Sequence, residues 1–306
     1  MGRKDDRAGS AGRVVEIRGR RVRVADVGGA GGERVCFLAG LRAVVGDRVR
    51  WVEVPGSGGK LVSVEPRDTA LIRVDHRGQE QVLAANLEGL LVVVAGQEPP
   101  FRAGLIDRYA VAAARSGLRV AVCLNKVDQG VPPEVEAEIA LRESLGVRFL
   151  RTSALLRFGL DAVRGFLAEQ SGTWALVGHS GVGKTSLIGA LLPGEDVGAV
   201  GDLSEYWGTG QHTTTGSRLF TLASGGELAD SPGIRTFTPG GLTVDNVRDY
   251  FPGMRQLQCR YRDCQHREGE DGCVAEGGID AALLQSYRRL LEDVRGVAER
   301  ARGRRS

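Results

Sequence analysis

Gly178-His179-Ser180-Gly181-Val182-Gly183-Lys184-Thr185 fills every fixed position of the pattern G-x-x-x-x-G-K-[ST], between an apolar run, Thr173–Val177, and a helical stretch, Lys184–Leu192. Each part has a physical task. Glycines let successive backbone N–H groups turn inward around phosphate oxygens, the Lys184 ammonium reaches the β- and γ-phosphates, and the Thr185 hydroxyl ligates magnesium. Gly178, Ser180, Gly181, Val182, Gly183, Lys184, Thr185 and Ser186 are thus the expected phosphate cradle. A strand–loop–helix setting makes the surrounding fold α/β.

Upstream, Asn125-Lys126-Val127-Asp128 closes the apolar strand Val120–Leu124. A carboxylate at Asp128 can accept hydrogen bonds from both the ring N–H and the exocyclic amine of guanine. Adenine offers no such pair, and an unpaired buried carboxylate would penalise ATP. The Lys126 stem can lie along the base plane. Thr152-Ser153-Ala154 closes the next strand, where the N–H groups of Ser153 and Ala154 meet guanine O6. The expected nucleotide is GTP.

Downstream, Asp230-Ser231-Pro232-Gly233 follows the strand Glu227–Ala229. Asp230 would hold magnesium through water, and the Gly233 N–H would sense the γ-phosphate. Between the phosphate loop and Asp230 lies Thr213-Thr214-Thr215, in a loop with Gly208, Gly210 and Gly216. One of these threonines would complete magnesium coordination, and Thr214 and Thr215 are placed at the nucleotide. Ordinary GTPases run P-loop, threonine switch, D-x-x-G, N-K-x-D, S-A. Here the last two come first, so the order is circularly permuted. The same sheet can form, because strand neighbours and not chain order define the pocket. The segment after Asp230 then runs directly into the C-terminal section.

The chain has 306 residues, 42% of them hydrophobic, enough for more than one real core. It contains no run of eighteen apolar residues, and Met1–Asp6 lacks the apolar stretch of a secretory signal. Five cysteines are too few for a disulfide scaffold, which points to a reducing cytoplasm. Short alternating strands read over Arg13–Arg18, Arg21–Val27, Arg34–Leu38, Arg48–Val54 and Lys60–Val64 fit a small barrel of the OB or SH3 type. From about residue 70, apolar strands alternate with helices in the manner of a mostly parallel sheet.

The C-terminal section carries Cys259-x4-Cys264-x-His266-x6-Cys273 and a helical stretch, Ala281–Ala298. Three thiolates and one imidazole suit a closed, structural tetrahedral zinc site, and a redox pair is the rival reading. Cys36 and Cys123 read as small core residues. The net charge of +3 conceals basic ends, residues 1–24 and 288–306, around an acidic centre. On charge alone, solvated termini are the simpler reading, and a polyanion grip is the other.

Barrel, permuted GTPase and cysteine section, in this order, resemble the ribosome small-subunit-dependent GTPases of the RsgA/YjeQ family. Ala84-Ala85-Asn86, Glu98-Pro99-Pro100-Phe101 and Asp107-Arg108-Tyr109 extend the likeness over essentially the whole chain. It implies an N-terminal OB-like, RNA-binding barrel with a basic tail (1–66), a permuted P-loop GTPase domain (67–238) and a mostly helical zinc-binding domain with a basic helix (239–306). It also implies a cytoplasmic monomer without membrane contact that binds the small ribosomal subunit and its 16S rRNA. GTP hydrolysis to GDP would drive its release late in subunit maturation. The chain departs from the family pattern at Gln211 and in the last ligand gap, Arg267–Gly272, which is one residue longer than usual and lacks its proline.

Many GTPases orient water with a glutamine just after D-x-x-G, a place taken here by Ile234. His212, before the threonines, is the candidate for orienting the attacking water, and the resemblance points to the same residue. His179 is a second candidate. Rival functions are an RNA-binding module with a vestigial nucleotide domain, a permuted GTPase acting on another RNA, and a P-loop kinase. Intact Lys184, Thr185, Asp128 and Asp230 oppose the first, the barrel with its cysteine section opposes the second, and Asn125–Asp128 opposes the third.

Overall fold

The computed structural model describes residues 9–27, 32–75, 78–192, 217–230 and 237–302. Alternating β-branched residues build β1 (Ser10–Arg18), β2 (Arg21–Asp26), β3 (Glu33–Phe37), β4 (Arg48–Val54) and β5 (Gly58–Val64). They pair in the order β1-β2-β3-β5-β4, and β4 returns to β1, which closes a five-stranded barrel of OB-like topology. Inward residues Val14, Val22, Val24, Cys36, Val49 and Leu61 fill it, all at most 1% exposed. A hairpin, β6 (Ala70–Val74) with β7 (Glu80–Ala85), then joins barrel to α/β layer. The sequence reading places no hairpin there. Its strands are short and broken by Arg73, Glu80 and Gln81, so the two-residue period is weak.

The α/β layer holds β8 (Gly89–Ala95), β9 (Arg119–Asn125), β10 (Arg148–Arg151), β11 (Thr173–Val177), β12 (Ser217–Thr221) and β13 (Glu227–Asp230). Their order is β10-β9-β8-β11-β13-β12, parallel except for β12. Every residue of β8 is buried, because both faces are covered. Leu90, Val92 and Val94 pack with Ile106, Tyr109 and Ile139 of α1 (Ala103–Ser116) and α2 (Pro133–Ser144). Leu91 and Val93 pack on the other side with Phe166, Leu167, Leu187 and Ile188 of α3 (Leu160–Gln170) and α4 (Lys184–Leu191). The permuted chain thus builds one doubly wound sheet with β11 between β8 and β13. Cys123 is fully buried in this sheet and, like Cys36, is a core residue.

Barrel and α/β sheet are continuous. β1 pairs antiparallel with β12 through Glu16↔Arg218 and Ile17↔Ser217, and Arg13 donates to Glu227 at 2.7 Å. On the far side, the C-terminal helix (Ala281–Arg302) packs Leu283, Tyr287, Leu290 and Val294 with Val111 of α1 and with Val247, Phe251 and Met254. Arg108 of α1 pairs with Asp293 of that helix at 2.5 Å. Among the described residues, no helix is long and apolar enough to cross a membrane.

Candidate nucleotide site and metal centre

The carboxyl ends of β8, β9, β11 and β13 meet at one edge of the sheet, the crevice where doubly wound folds hold their ligands. β11 delivers Gly178 there, and α4 begins at Lys184 after a left-handed Gly183. Two glycines are demanded by close approach. A Cβ on Gly178 would stand 2.3 Å from the Val93 carbonyl oxygen, and one on Gly183 would stand 2.5 Å from Asn125 Nδ2. The residue at the N-cap of α4 is Gly183, which has no side chain to cap the helix. Among the described residues the first-turn N–H groups, including those of Thr185 and Ser186, are therefore left as donors for an anion at the crevice. Lys184 Nζ lies over the loop and donates to the carbonyls of Gly178 and His179 at 2.9 and 3.0 Å.

Burial holds the Lys184 pKa below the ordinary lysine value, with Asp230 acting in the opposite direction. Asp230 ends β13 beside Leu176 of β11. Burial pushes its carboxyl up to about 6 against the attraction of Lys184. Two groups of opposite charge, Lys184 at the start of α4 and Asp230 at the end of β13, both held by burial against ionisation, mark a place built to take up further charge.

Asn125 ends β9 and is 1% exposed. Its Nδ2 donates to the Val182 carbonyl at 3.0 Å. Its Oδ1 accepts from the Ala154 N–H at 3.0 Å and from the Thr152 hydroxyl at 3.2 Å. One side chain therefore ties the phosphate loop to the Thr152-Ser153-Ala154 turn. The next residue, Lys126, takes a left-handed φ of 62°, a conformation that costs about 1 kcal/mol or more outside glycine. It is held by the Val127 N–H donating to the Thr152 carbonyl at 3.1 Å and by Lys126 Nζ donating to the Glu98 carbonyl at 2.8 Å. Asp128 sits exposed in the single 3₁₀ turn Val127–Gln129. Ser153 is buried and its hydroxyl accepts the Leu156 N–H at 3.0 Å.

The cysteine section closes on itself. Cys259, Cys264 and Cys273 present their sulfurs 3.4, 3.6 and 3.5 Å from His266 Nδ1, and all four ligand atoms lie within 4.8 Å of one another. A tetrahedral ion with metal–sulfur bonds of about 2.3 Å and a metal–nitrogen bond of about 2.0 Å requires sulfur–nitrogen edges of about 3.5 Å. The four donors fit such an ion. The Val274 and Ala275 N–H groups point at Cys259 and Cys273 Sγ at 3.5 Å each. Arg288 of the C-terminal helix donates to the His266 carbonyl at 2.9 Å. Burial pushes the Cys264 thiol up to about 12.

The sequence model of the RsgA GTPase family matches residues 64–239, a span that holds every nucleotide motif. The chain belongs to the RsgA GTPase family. Its curated relatives are similar well beyond those motifs. The small ribosomal subunit biogenesis GTPase RsgA of Pseudomonas aeruginosa (strain LESB58) is 40% identical over 258 residues, covering 81% of this chain and 75% of that one. The protein of the same name from Azotobacter vinelandii is 41% identical over 258 residues, covering 81% and 74%. Among solved structures, YjeQ from Thermotoga maritima superposes with a TM-score of 0.70 at 25% identity, over 94% of this chain and 99% of that one. YloQ, described as a circularly permuted GTPase, superposes with a TM-score of 0.65 at 19% identity, over 97% and 98%. As an RsgA GTPase the chain is a GTP hydrolase with a permuted fold.

For this RsgA GTPase, the structure gathers Asn125, Lys126, Ala154, the phosphate loop and Asp230 at one sheet edge, with Cys259, Cys264, His266 and Cys273 in a separate cluster. His212, Thr213, Thr214, Thr215, Gly233 and Ile234 lie outside the described residues. Two contributions escape the sequence reading. Thr152, fully buried, supports both Asn125 and Val127, and the segment after β8 reaches across to the Lys126–Gly130 turn. Nothing in their residue types announces either role.

Proposed function

We propose that this RsgA GTPase binds GTP with magnesium at the Gly178–Thr185 loop, docks on the small ribosomal subunit late in its maturation, hydrolyses GTP there and leaves in the GDP state. The name of its relatives, small ribosomal subunit biogenesis GTPase, supports the partner. The observation that carries the nucleotide reading is Asn125 bonded to both Val182 and Ala154, which holds a base-reading turn and a phosphate loop at a fixed separation.

In this reading Asp128 accepts from the guanine ring N–H and amine, the Lys126 stem lines the base, and the N–H groups of Ser153 and Ala154 meet O6. Lys184 exchanges its two loop carbonyls for phosphate oxygens, and the exposed N–H groups of the loop and of α4 surround the phosphates. Thr185, Asp230 and one of Thr213–Thr215 are the residues that would hold magnesium, which supplies charge neutralisation for the leaving phosphate. Gly233 senses the γ-phosphate, and His212 orients the attacking water. Cys259, Cys264, His266 and Cys273 hold a structural zinc ion that stiffens the loop beneath the C-terminal helix.

The barrel (1–66) is the proposed contact with 16S rRNA. Arg21 lies 5.5 Å over the ring of exposed Phe37, so β2 and β3 offer a cation beside an aromatic face, a pairing suited to unstacked bases. Residues 67–238 form the GTPase unit and 239–306 the zinc-bearing unit, in a cytoplasmic monomer. Co-sedimentation with purified small subunits tests the cycle. We expect retention with a non-hydrolysable GTP analogue and release with GDP; equal retention in both states contradicts it.

A further inference from the structure

The segment between β8 and α1, Gly96–Pro100, belongs to no motif of the nucleotide site, yet it touches both halves of that site. Gln97 Nε2 donates to the carbonyls of Gln129 and Gly130 at 2.5 and 3.2 Å, the two residues that follow Asp128. Next in the chain, the Glu98 carbonyl accepts the Lys126 ammonium at 2.8 Å. Pro99 then lies against the phosphate loop, its Cδ 3.8 Å from the position of a Cβ on Gly181. The fit is close: a Cβ on Gly130, whose φ is +84°, would stand 3.3 Å from Gln97 Nε2, and one on Gly96 would stand 3.3 Å from the Gly130 carbonyl oxygen.

From this geometry we infer that Gln97 is a positioning residue for base selection, an inference that rests on Asp128 being the group that reads guanine. Asp128 is exposed and stands in a single 3₁₀ turn that begins with the left-handed Lys126. A one-turn helix has little cohesion of its own. Its start is fixed through Lys126, Val127 and Asn125. Its end is fixed by the side-chain amide of Gln97, whose two donors have no other described partner. Holding both ends sets the direction of the Asp128 carboxylate, on which two simultaneous hydrogen bonds to one base edge depend. Gln97 thus acts on specificity without touching the nucleotide.

Inosine triphosphate supplies the decisive readout, because it keeps the ring N–H of guanine and lacks the exocyclic amine. A variant that only lowers the folded or competent fraction weakens GTP and inosine triphosphate equally and leaves their ratio unchanged. Dissociation constants for both nucleotides would be measured on the full chain, for wild type, Gln97→Ala, the isosteric Gln97→Glu and Asp128→Asn. With the donors gone, GTP affinity falls about 5-fold, and the preference for GTP over inosine triphosphate shrinks about 3-fold. Gln97→Glu, which sets a carboxylate against two carbonyls, does at least as much as Gln97→Ala. If Asp128→Asn collapses the preference while both Gln97 variants keep it, the role of Gln97 is overturned and the guanine reading stands. If Asp128→Asn also keeps the preference, both fall.

Discussion

Asn125 Nδ2 and the Val182 carbonyl oxygen are 3.0 Å apart, a bond that joins the end of β9 to the middle of the phosphate loop. The same side chain satisfies the Ala154 N–H and the Thr152 hydroxyl, so three segments of the site share one residue. Permutation leaves this bond intact, because it depends on β9 and β11 flanking β8 and not on which comes first in the chain.

Asn125→Ala removes all three bonds and strands buried partners, whose desolvation costs about 2–3 kcal/mol. Thermal unfolding of the nucleotide-free chain should show that loss, and GTP affinity should fall by about tenfold or more as the loop and turn separate. A wild-type melting temperature would show that the bond contributes nothing.

Asp128→Asn tests the base. The amide presents a donor where guanine also donates, so GTP weakens, while xanthosine triphosphate, which carries an oxygen in place of the amine, gains. The expected reversal of preference is about 100-fold or more. Unchanged GTP binding would remove Asp128 from the base contact.

Asp230 gives a pH signature. Its carboxyl titrates at about 6 in the folded chain, above an unfolded value of about 3.9. The folded state therefore binds the extra proton between these values. The stability this confers is fully present below pH ~4 and lost as pH rises through ~6. In chelator and without nucleotide, Asp230→Asn should be more stable than wild type at pH 7.5, and the difference should shrink as pH falls from 6 to 4. A difference independent of pH would mean that the carboxylate is not strained by burial.

Much of this was legible in the sequence, for a physical reason. The phosphate loop, Asn125–Asp128, Asp230 and the cysteine cluster are short motifs whose chemistry fixes residue type and spacing together. β8 and β11 are recognisable because strands buried on both faces read as unbroken apolar runs. The β6–β7 hairpin has no such run, and β12, Ser217-Arg218-Leu219-Phe220-Thr221, is a short strand of mixed polarity that pairs with β13 on one side and with β1, far away in the chain, on the other. Thr152 and Gln97 act through hydrogen bonds to groups distant in sequence, the Asn125 side chain and Val127 N–H for the first and the Gln129 and Gly130 carbonyls for the second, and composition carries no trace of such partners.

Removing the metal tests the cysteine cluster. The chain as purified should carry one zinc ion, and Cys264→Ser should lose most of it. The C-terminal helix should then loosen, since Arg288 holds the His266 carbonyl, with amide exchange over 281–294 rising about tenfold or more. Full protection without metal would mean that packing against α1 alone holds the helix.

The central claim is that GTP hydrolysis is gated by the small ribosomal subunit, and the most direct measurement is GTP turnover by the full chain alone, with small subunits and with large subunits. We predict slow turnover alone, stimulation of about 10-fold or more by small subunits only, and loss of that stimulation in His212→Ala. Equal rates under all three conditions would contradict the account.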